Sequence, residues 1–337
     1  MLFPFFFHSK IIKRFFLSFS LLHFIGLSDS EVNVRKLTKI DDMYYLKGDD
    51  APYNGIAYKN SNLNDKKILE FSIVNGKKND HYHEWYLNGK KKNIYHYENN
   101  LKNGAYTKYY QNGKKEEKGY YKNGKINGLC TFWFKNGQKK KEGVYILEKG
   151  TGLWTYWFEN GKKDREGYRT NGKMSGFWTL WYLNGEIKEN GNYFGGEKFG
   201  KWIKWNENNI KTAEGYYKND KKFNTWSYWH DNGTKAREGN YENDKKFGQW
   251  NYWDNSGNQL TQGDFMNDKK DGQWIYWHNN TNIVSAKGNF KKEKKIGVWV
   301  YWYENGYKKE ELTFKNGLQI SSLCWNEFGK EIECTSE

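Results

Sequence analysis

The chain of 337 residues carries 55 basic and 40 acidic side chains, a formal charge of +15, and more than half of its hydrophobic residues (36% of the chain) are aromatic (19%). That length would usually make about two domains, but so few aliphatics exclude a large Leu/Ile/Val core. The 17 Trp, 27 Tyr and 21 Phe exclude a disordered chain, which is poor in rings, and two prolines exclude a polyproline rod.

Residues 1–28 read as a signal peptide, with Lys10, Lys13 and Arg14 ahead of the apolar stretch Phe15 to Leu27 and small residues at Gly26 and Ser28. The stretch is short for a membrane span, which needs about 20 residues. Cleavage near Ser28 is expected, an uncleaved segment being the one route to a membrane, and the mature chain is placed outside the cytoplasm: secreted, periplasmic or on the cell surface. Residues 29–52 read as a lead-in segment, 53–330 as a repeat array and 331–337 as a C-terminal tail.

The array has a 24-residue period. Trp154, Trp178, Trp202, Trp226, Trp250, Trp274 and Trp299 form one series, and Trp133, Trp157, Trp181, Trp205, Trp229, Trp253, Trp277 and Trp302 form a second, three residues on. Tyr82/Trp85, Tyr106/Tyr109 and Cys130/Trp133 occupy the equivalent places upstream, giving about eleven units. Each unit holds two aromatic runs closed by Asn-Gly or Asn-Asp, a hairpin signal because a type I′ turn needs positive φ at both central residues. One set of turns includes Asn112-Gly113, Asn136-Gly137, Asn160-Gly161 and Asn184-Gly185; the other includes Asn123-Gly124, Asn171-Gly172, Asn219-Asp220 and Asn243-Asp244. The fold class is therefore all-β: an elongated single-layer antiparallel β-meander of about eleven 24-residue hairpin repeats. Two-residue turns at Asn160-Gly161 and Asn171-Gly172 predict that Trp154, Gly167 and Gly176 share one row, with the Trp154 ring over bare backbone. Residues three apart in a strand point to opposite faces, so Trp154 and Trp157 are expected on different faces. In the unit 200–223, Asn208-Asn209 and Asn224 replace glycine-bearing positions, which predicts local opening near 206–226 or at the C-terminus.

The unit, G-x-W-x-x-W-aromatic-x-N-G-K followed by E-G-x-Y and N-G-K or N-D-K, resembles MORN-type repeats of the bacterial variant kind found in the YwqK family of toxin–antitoxin antitoxin components. The segment Tyr44 to Gly55, with its Pro52-Tyr53-Asn54-Gly55, is similar to that family's run into the first repeat. The resemblance implies a repeat fold and toxin neutralisation, although a signal peptide departs from a cytoplasmic antitoxin. Choline- and glucan-binding repeats of bacterial surface proteins are also similar, and would imply binding in aromatic cages.

Among residues that bear chemistry, Glu142, Glu166, Glu214 and Glu238 recur before glycine and read as strand carboxylates paired with lysine, not as catalytic acids. The Asn-Gly-Lys turns lead into no helix and are not phosphate loops. His81, His83 and His96 fall on one patch, with His96 opposite His81, and form a candidate zinc or copper site. Cys130 fills a first-position Trp slot, while Cys324 and Cys334 could close a disulfide about Phe328-Gly329. No cofactor and no catalysis are expected. The candidate binding residues are Trp154, Trp157, Trp178, Trp181, Trp250, Trp253, Trp274 and Trp277, on an aromatic, lysine-rich surface that takes a protein or, alternatively, a glycan. Only Arg14, Arg35, Arg165, Arg169 and Arg237 are arginines; base and phosphate readers favour the bidentate arginine fork, which argues against nucleic acid.

Overall fold

The computed structural model describes residues 30–334; the expected signal peptide 1–28 and the last three residues of the tail lie outside the described residues. The array is one 27-stranded sheet of successive antiparallel hairpins from Gly55–Asn60 to Glu331–Ile332, in which Leu101–Lys102 and Gly104–Tyr109 share the partner Lys91–Glu98, and Lys125–Ile126 and Gly128–Trp133 share Lys115–Lys122. One short 3-10 turn, Val34–Lys36, is the only helical element among the described residues. The chain has 22484 Å² of accessible surface, against about 14,500 Å² for a compact globule of 40.3 kDa.

The lead-in segment closes the first edge. Glu31–Asn33 pairs parallel with Gly55–Asn60, and the hairpin Leu37–Ile40/Met43–Leu46 forms a separate two-stranded sheet. Val32, Leu37, Tyr53, Ala57, Phe71 and Ile73 pack there into a small aliphatic core, and the Tyr44 N–H donates to Gly76 O at 2.6 Å. The scarce aliphatics are thus spent on a cap, which a stacked array needs to shield its terminal unit.

Within the array the two kinds of Asn-Gly turn differ. Asn171 (φ 51°) and Gly172 (φ 82°), like Asn243 (φ 50°) and Asp244 (φ 67°), are left-handed at both central positions, as a type I′ turn requires. At Asn160-Gly161 only Gly161 is left-handed (φ 85°); its N–H donates to Phe158 O at 2.9 Å and the Phe158 N–H to Lys162 O at 2.9 Å. This loop has three residues and ends in a glycine bulge, which corrects the two-residue turn expected there. Tyr156 pairs with Arg165 but Trp157 with Lys163, so Asp164 is an extra residue. The longer loop and the bulge cancel, and Trp154 still sits opposite Gly167.

On the other side the expected register fails. Gly167 pairs with Trp178, not Gly176, because Gly176 and Phe177 bulge out between Trp178 and Ser175. Gly176 takes φ 64° to do so. The row that results alternates Trp154, Gly167, Trp178, Gly191, Trp202, Gly215, Trp226, Gly239, Trp250, Gly263 and Trp274 across successive strands. Each ring lies on the glycine before it in the chain: a Cβ added to Gly143 would fall 2.2 Å from the Trp154 ring and one on Gly167 2.3 Å from Trp178. Trp154 therefore covers Gly143, while its other neighbour, Gly167, is covered by Trp178.

Candidate functional site

By strand alternation the sheet has a ring face and an outer face. On the ring face Trp178, Trp202 and Trp250 are fully buried, and Trp154 and Trp274 are 2% exposed. Their burial comes from neighbours in adjacent strands: Tyr217 meets Trp202 and Trp226 edge-on with centroids 6.1 and 5.0 Å away, and Tyr228 stacks on Trp226 at 5.9 Å. Each indole N–H is also used, Trp178 donating to Tyr168 O at 2.9 Å, Trp202 to Asn192 O at 3.1 Å and Trp226 to Tyr216 O at 3.0 Å. Those carbonyls lie at the bulge, so the ring fills both the space and the hydrogen-bonding gap that the bulge opens. Of the eight tryptophans expected to bind, Trp154, Trp178, Trp250 and Trp274 are core and offer no ring to a partner. Cys130, buried and paired with Gly143, fills the same slot.

The outer face carries the second series. Trp157, Trp181, Trp205, Trp229, Trp253 and Trp277 are partly exposed, each one strand pair from the next, about 10 Å apart at the usual strand spacing. Lysines sit over several of them: Lys139 at 5.4 Å from Trp157, Lys163 at 5.5 Å from Trp181 and Lys235 at 5.7 Å from Trp253. The same lysines hold the recurrent glutamates, with Lys139–Glu142 at 2.9 Å, Lys163–Glu166 at 2.8 Å and Lys235–Glu238 at 2.8 Å. Ser227 donates to Glu238 at 2.5 Å. The bonds from Lys235 and Ser227 hold the Glu238 carboxyl below its ordinary value. Alongside run Tyr168, Phe177, Phe199, Phe223 and Phe247, each about half exposed.

Both margins are clamped from unit to unit. Asn136 Nδ2 donates to Glu159 O at 2.8 Å and Asn184 Nδ2 to Glu207 O at 2.9 Å, while on the opposite margin Asp244 Oδ1 accepts the Lys222 N–H at 2.7 Å. Asparagine in the three-residue loops is thus a bridge to the next unit rather than a left-handed residue. His230 and His278 make the same kind of bridge, to Trp253 O at 3.0 Å and Trp302 O at 2.8 Å, where Tyr182 elsewhere reaches Trp205 O.

His81 does pair with His96, and the His81 and His83 ring centroids lie 5.3 Å apart. Among the described residues no group of three or more His, Cys, Asp or Glu is placed to hold a metal ion. His81 Nε2 instead lies 3.6 Å from Glu70 and Nδ1 3.7 Å from Asp80. Cys324 and Cys334 are disulfide-bonded.

Sequence reasoning missed a row of lysines on the ring face. Lys222 Nζ lies 4.8 Å from the Trp226 and Tyr241 rings, Lys246 4.7 Å from Trp250 and 4.6 Å from Phe265, Lys270 4.2 Å from Trp274 and Lys295 4.7 Å from Trp299. The available signal was their recurrence, Lys222, Lys246 and Lys270 each two residues after an Asn-Asp turn and Lys295 two residues after Lys292-Glu293.

No protein-family model and no curated protein matches the chain. Among solved structures the similarity is to Tc toxin chains. The crystal structure of TcdB2-TccC3-Cdc42 matches at 10% identity over 83% of this chain and 17% of that chain, with a TM-score of 0.18. The Photorhabdus luminescens Tc holotoxin pore matches at 10% identity over 88% and 19%, with a TM-score of 0.17. The chain spans under a fifth of the length of those chains, and a likeness of this size carries no argument about fold or function.

Proposed function

We propose that the chain is an exported, non-catalytic repeat scaffold that binds a protein along its outer face. The observation that carries this reading is the exposed aromatic surface there, the partly exposed Trp157–Trp277 row interleaved with lysines and, across the Thr/Ser–Glu row, the exposed Tyr168, Phe177, Phe199, Phe223 and Phe247. Half-buried Trp anchors are the residues that dominate protein interfaces. The absence of a catalytic role is supported by the recurrent glutamates: each of Glu142, Glu166 and Glu238 has its lysine, and a carboxyl held below its ordinary value is a poor general acid. Export rests on the charged, apolar, small-residue order of residues 1–28. The antitoxin role implied by the MORN-type resemblance would use the same protein-binding face, with a toxin as the partner. Choline binding is disfavoured, because the ring-face cages hold the chain's own lysines.

The experiment is a pull-down from the native envelope with the full chain as bait, beside the double variant Trp253→Ser/Trp277→Ser. The parent is expected to retain a defined polypeptide that the variant loses while keeping the parent's thermal midpoint. Equal recovery by both would overturn the outer-face reading.

A further inference from the structure

The ring face carries positive charge that the fold leaves unneutralised. Between Ala213 and Tyr301 its strand positions include Lys222, Arg237, Lys246, Lys270 and Lys295, and their ring-face neighbours at Gly−2 and Trp+2 are Ala213, Tyr228, Tyr252, Thr261, Tyr276, Ala286 and Tyr301. None of these five cations has a carboxylate within ion-pair distance. The nearby Asp244 and Asp268 sit in the turns, with Oδ1 occupied by the backbone N–H of Lys222 and Lys246. Upstream the pattern differs: Lys198 and Lys204 share Glu189, at 2.9 and 3.5 Å.

Each lysine is held in place. Its ammonium donates to a tyrosine hydroxyl two strand positions beyond the tryptophan: Lys222 to Tyr228, Lys246 to Tyr252 and Lys270 to Tyr276, all at 2.9 Å, and Lys295 to Tyr301 at 2.7 Å. Burial lowers Lys222 and Lys246 from the usual lysine value, so the fold carries these charges at some cost in stability. The result is a file of fixed cations, one every two strands or about 10 Å, with Tyr241, Phe265 and Phe290 on the strands between them and a partly exposed phenol beside each cation on its own strand.

We propose that this stretch of the ring face is a track for an acidic polysaccharide, with Lys222, Lys246, Lys270 and Lys295 meeting acid groups on alternate sugars and the tyrosines beside them taking the sugar faces. It is a second site, on the face opposite the protein-binding one, and does not rest on that reading. Three observations select this occupant. Charge complementarity demands a polyanion. The interval matches a polymer with one acid group per disaccharide, whereas duplex DNA carries a charge every 1.7 Å or so of its axis and would leave most phosphates unmet. The partly exposed phenol beside each cation, on the same strand, suits a sugar ring, which presents a C–H face.

The test is titration of the full chain, read by tryptophan fluorescence, with hyaluronan, which carries one carboxylate per disaccharide. Dextran, polyglutamate and oligothymidylate are the comparisons. Hyaluronan is expected to bind, to weaken as salt rises, and to bind the outer-face variant Trp277→Ser unchanged. Lys270→Gln is expected to weaken it about fivefold, the size of one partly screened ion pair. Arg237→Glu, at an exposed position stacked 4.4 Å from Tyr228, reads the same charge without touching the core and is expected to weaken it at least as much. Dextran binding equally well, polyglutamate or oligothymidylate binding more tightly, or no effect of either ring-face variant would overturn the proposal.

Discussion

At the scale of single residues the fold turns on a tryptophan lying flat on a glycine. A side chain at Gly239 would place its Cβ 2.3 Å from the Trp250 ring, in a row where the ring has neighbours on both sides and cannot retreat. Gly239→Ala is therefore expected to cost about 2–3 kcal/mol by overpacking, in the range for added methylenes in a filled core, measured as a shift in urea midpoint at constant slope. The indole is needed as well as its volume. Trp202→Phe keeps most of the ring but leaves the Asn192 carbonyl without its 3.1 Å donor, which should cost about 1–3 kcal/mol beyond the lost area; a smaller loss would mean that water replaces the bond. The two Trp series and their opposite faces were legible in the sequence, because period 24 and the offset of three are visible without coordinates. Which glycine each ring covers was not legible. The bulge at Gly176 advances the partner strand by two residues, and only left-handed backbone, invisible in a sequence row, marks it.

At the scale of elements the turns carry both the legible and the hidden part. Asn-Gly and Asn-Asp correctly marked every strand end used to place the hairpins, yet the same dipeptide closes two different loops, told apart by whether asparagine itself is left-handed. Within the array two type I′ turns carry neither Asn nor Gly: Leu147 and Glu148 hold φ 47° and 70°, and Lys292 and Glu293 hold 48° and 70°, where a residue with a Cβ is strained by about 1–2 kcal/mol. Leu147→Asn with Glu148→Gly should stabilise the chain by about that amount, because the two bonds made there, to Asn127 Oδ1 and Ile126 O, use only backbone N–H groups. An unchanged melting temperature would show the strain to be absorbed elsewhere. The outer-face ion pairs set an acid limit. Glu238 is lowered in the folded chain by Lys235 and Ser227, so the unfolded chain binds its proton first, and the stabilisation is present above the ordinary glutamate value and lost as pH falls through the folded one. Glu166 and Glu142 are also lowered on balance, burial opposing their bonds to lysine and threonine. Thermal midpoints should decline together below about pH 4.5, and Glu238→Gln should flatten part of that decline.

At the scale of the molecule each hairpin touches only its neighbours, so stability is a sum of units and interfaces rather than a property of one core. The ends are built unequally. The N-terminal edge has an aliphatic cap, whereas the last long strand, Leu318–Trp325, pairs on its outer side only through Cys324 and Trp325 and exposes Leu318 and Ile320. Local opening was expected near 206–226 or at the C-terminus; of the two, 206–226 has Asn209 and Asn224, both at φ 59°, which keep the turn and the bulge in the residue type that tolerates this conformation best after glycine. Fraying should therefore begin at the C-terminal edge. Trp202→Ala is expected to cost about 3–5 kcal/mol through lost burial and a cavity, and Trp325→Ala much less, since Trp325 is already half-exposed. Reduction of the Cys324–Cys334 disulfide extends the argument, because it frees only the short strand Glu331–Ile332. If coupling runs no farther than the next unit, hydrogen exchange after reduction should quicken across Lys308–Ile332 and stay unchanged around Trp202 to Trp250. Faster exchange through the whole array would show one cooperative block instead of stacked units.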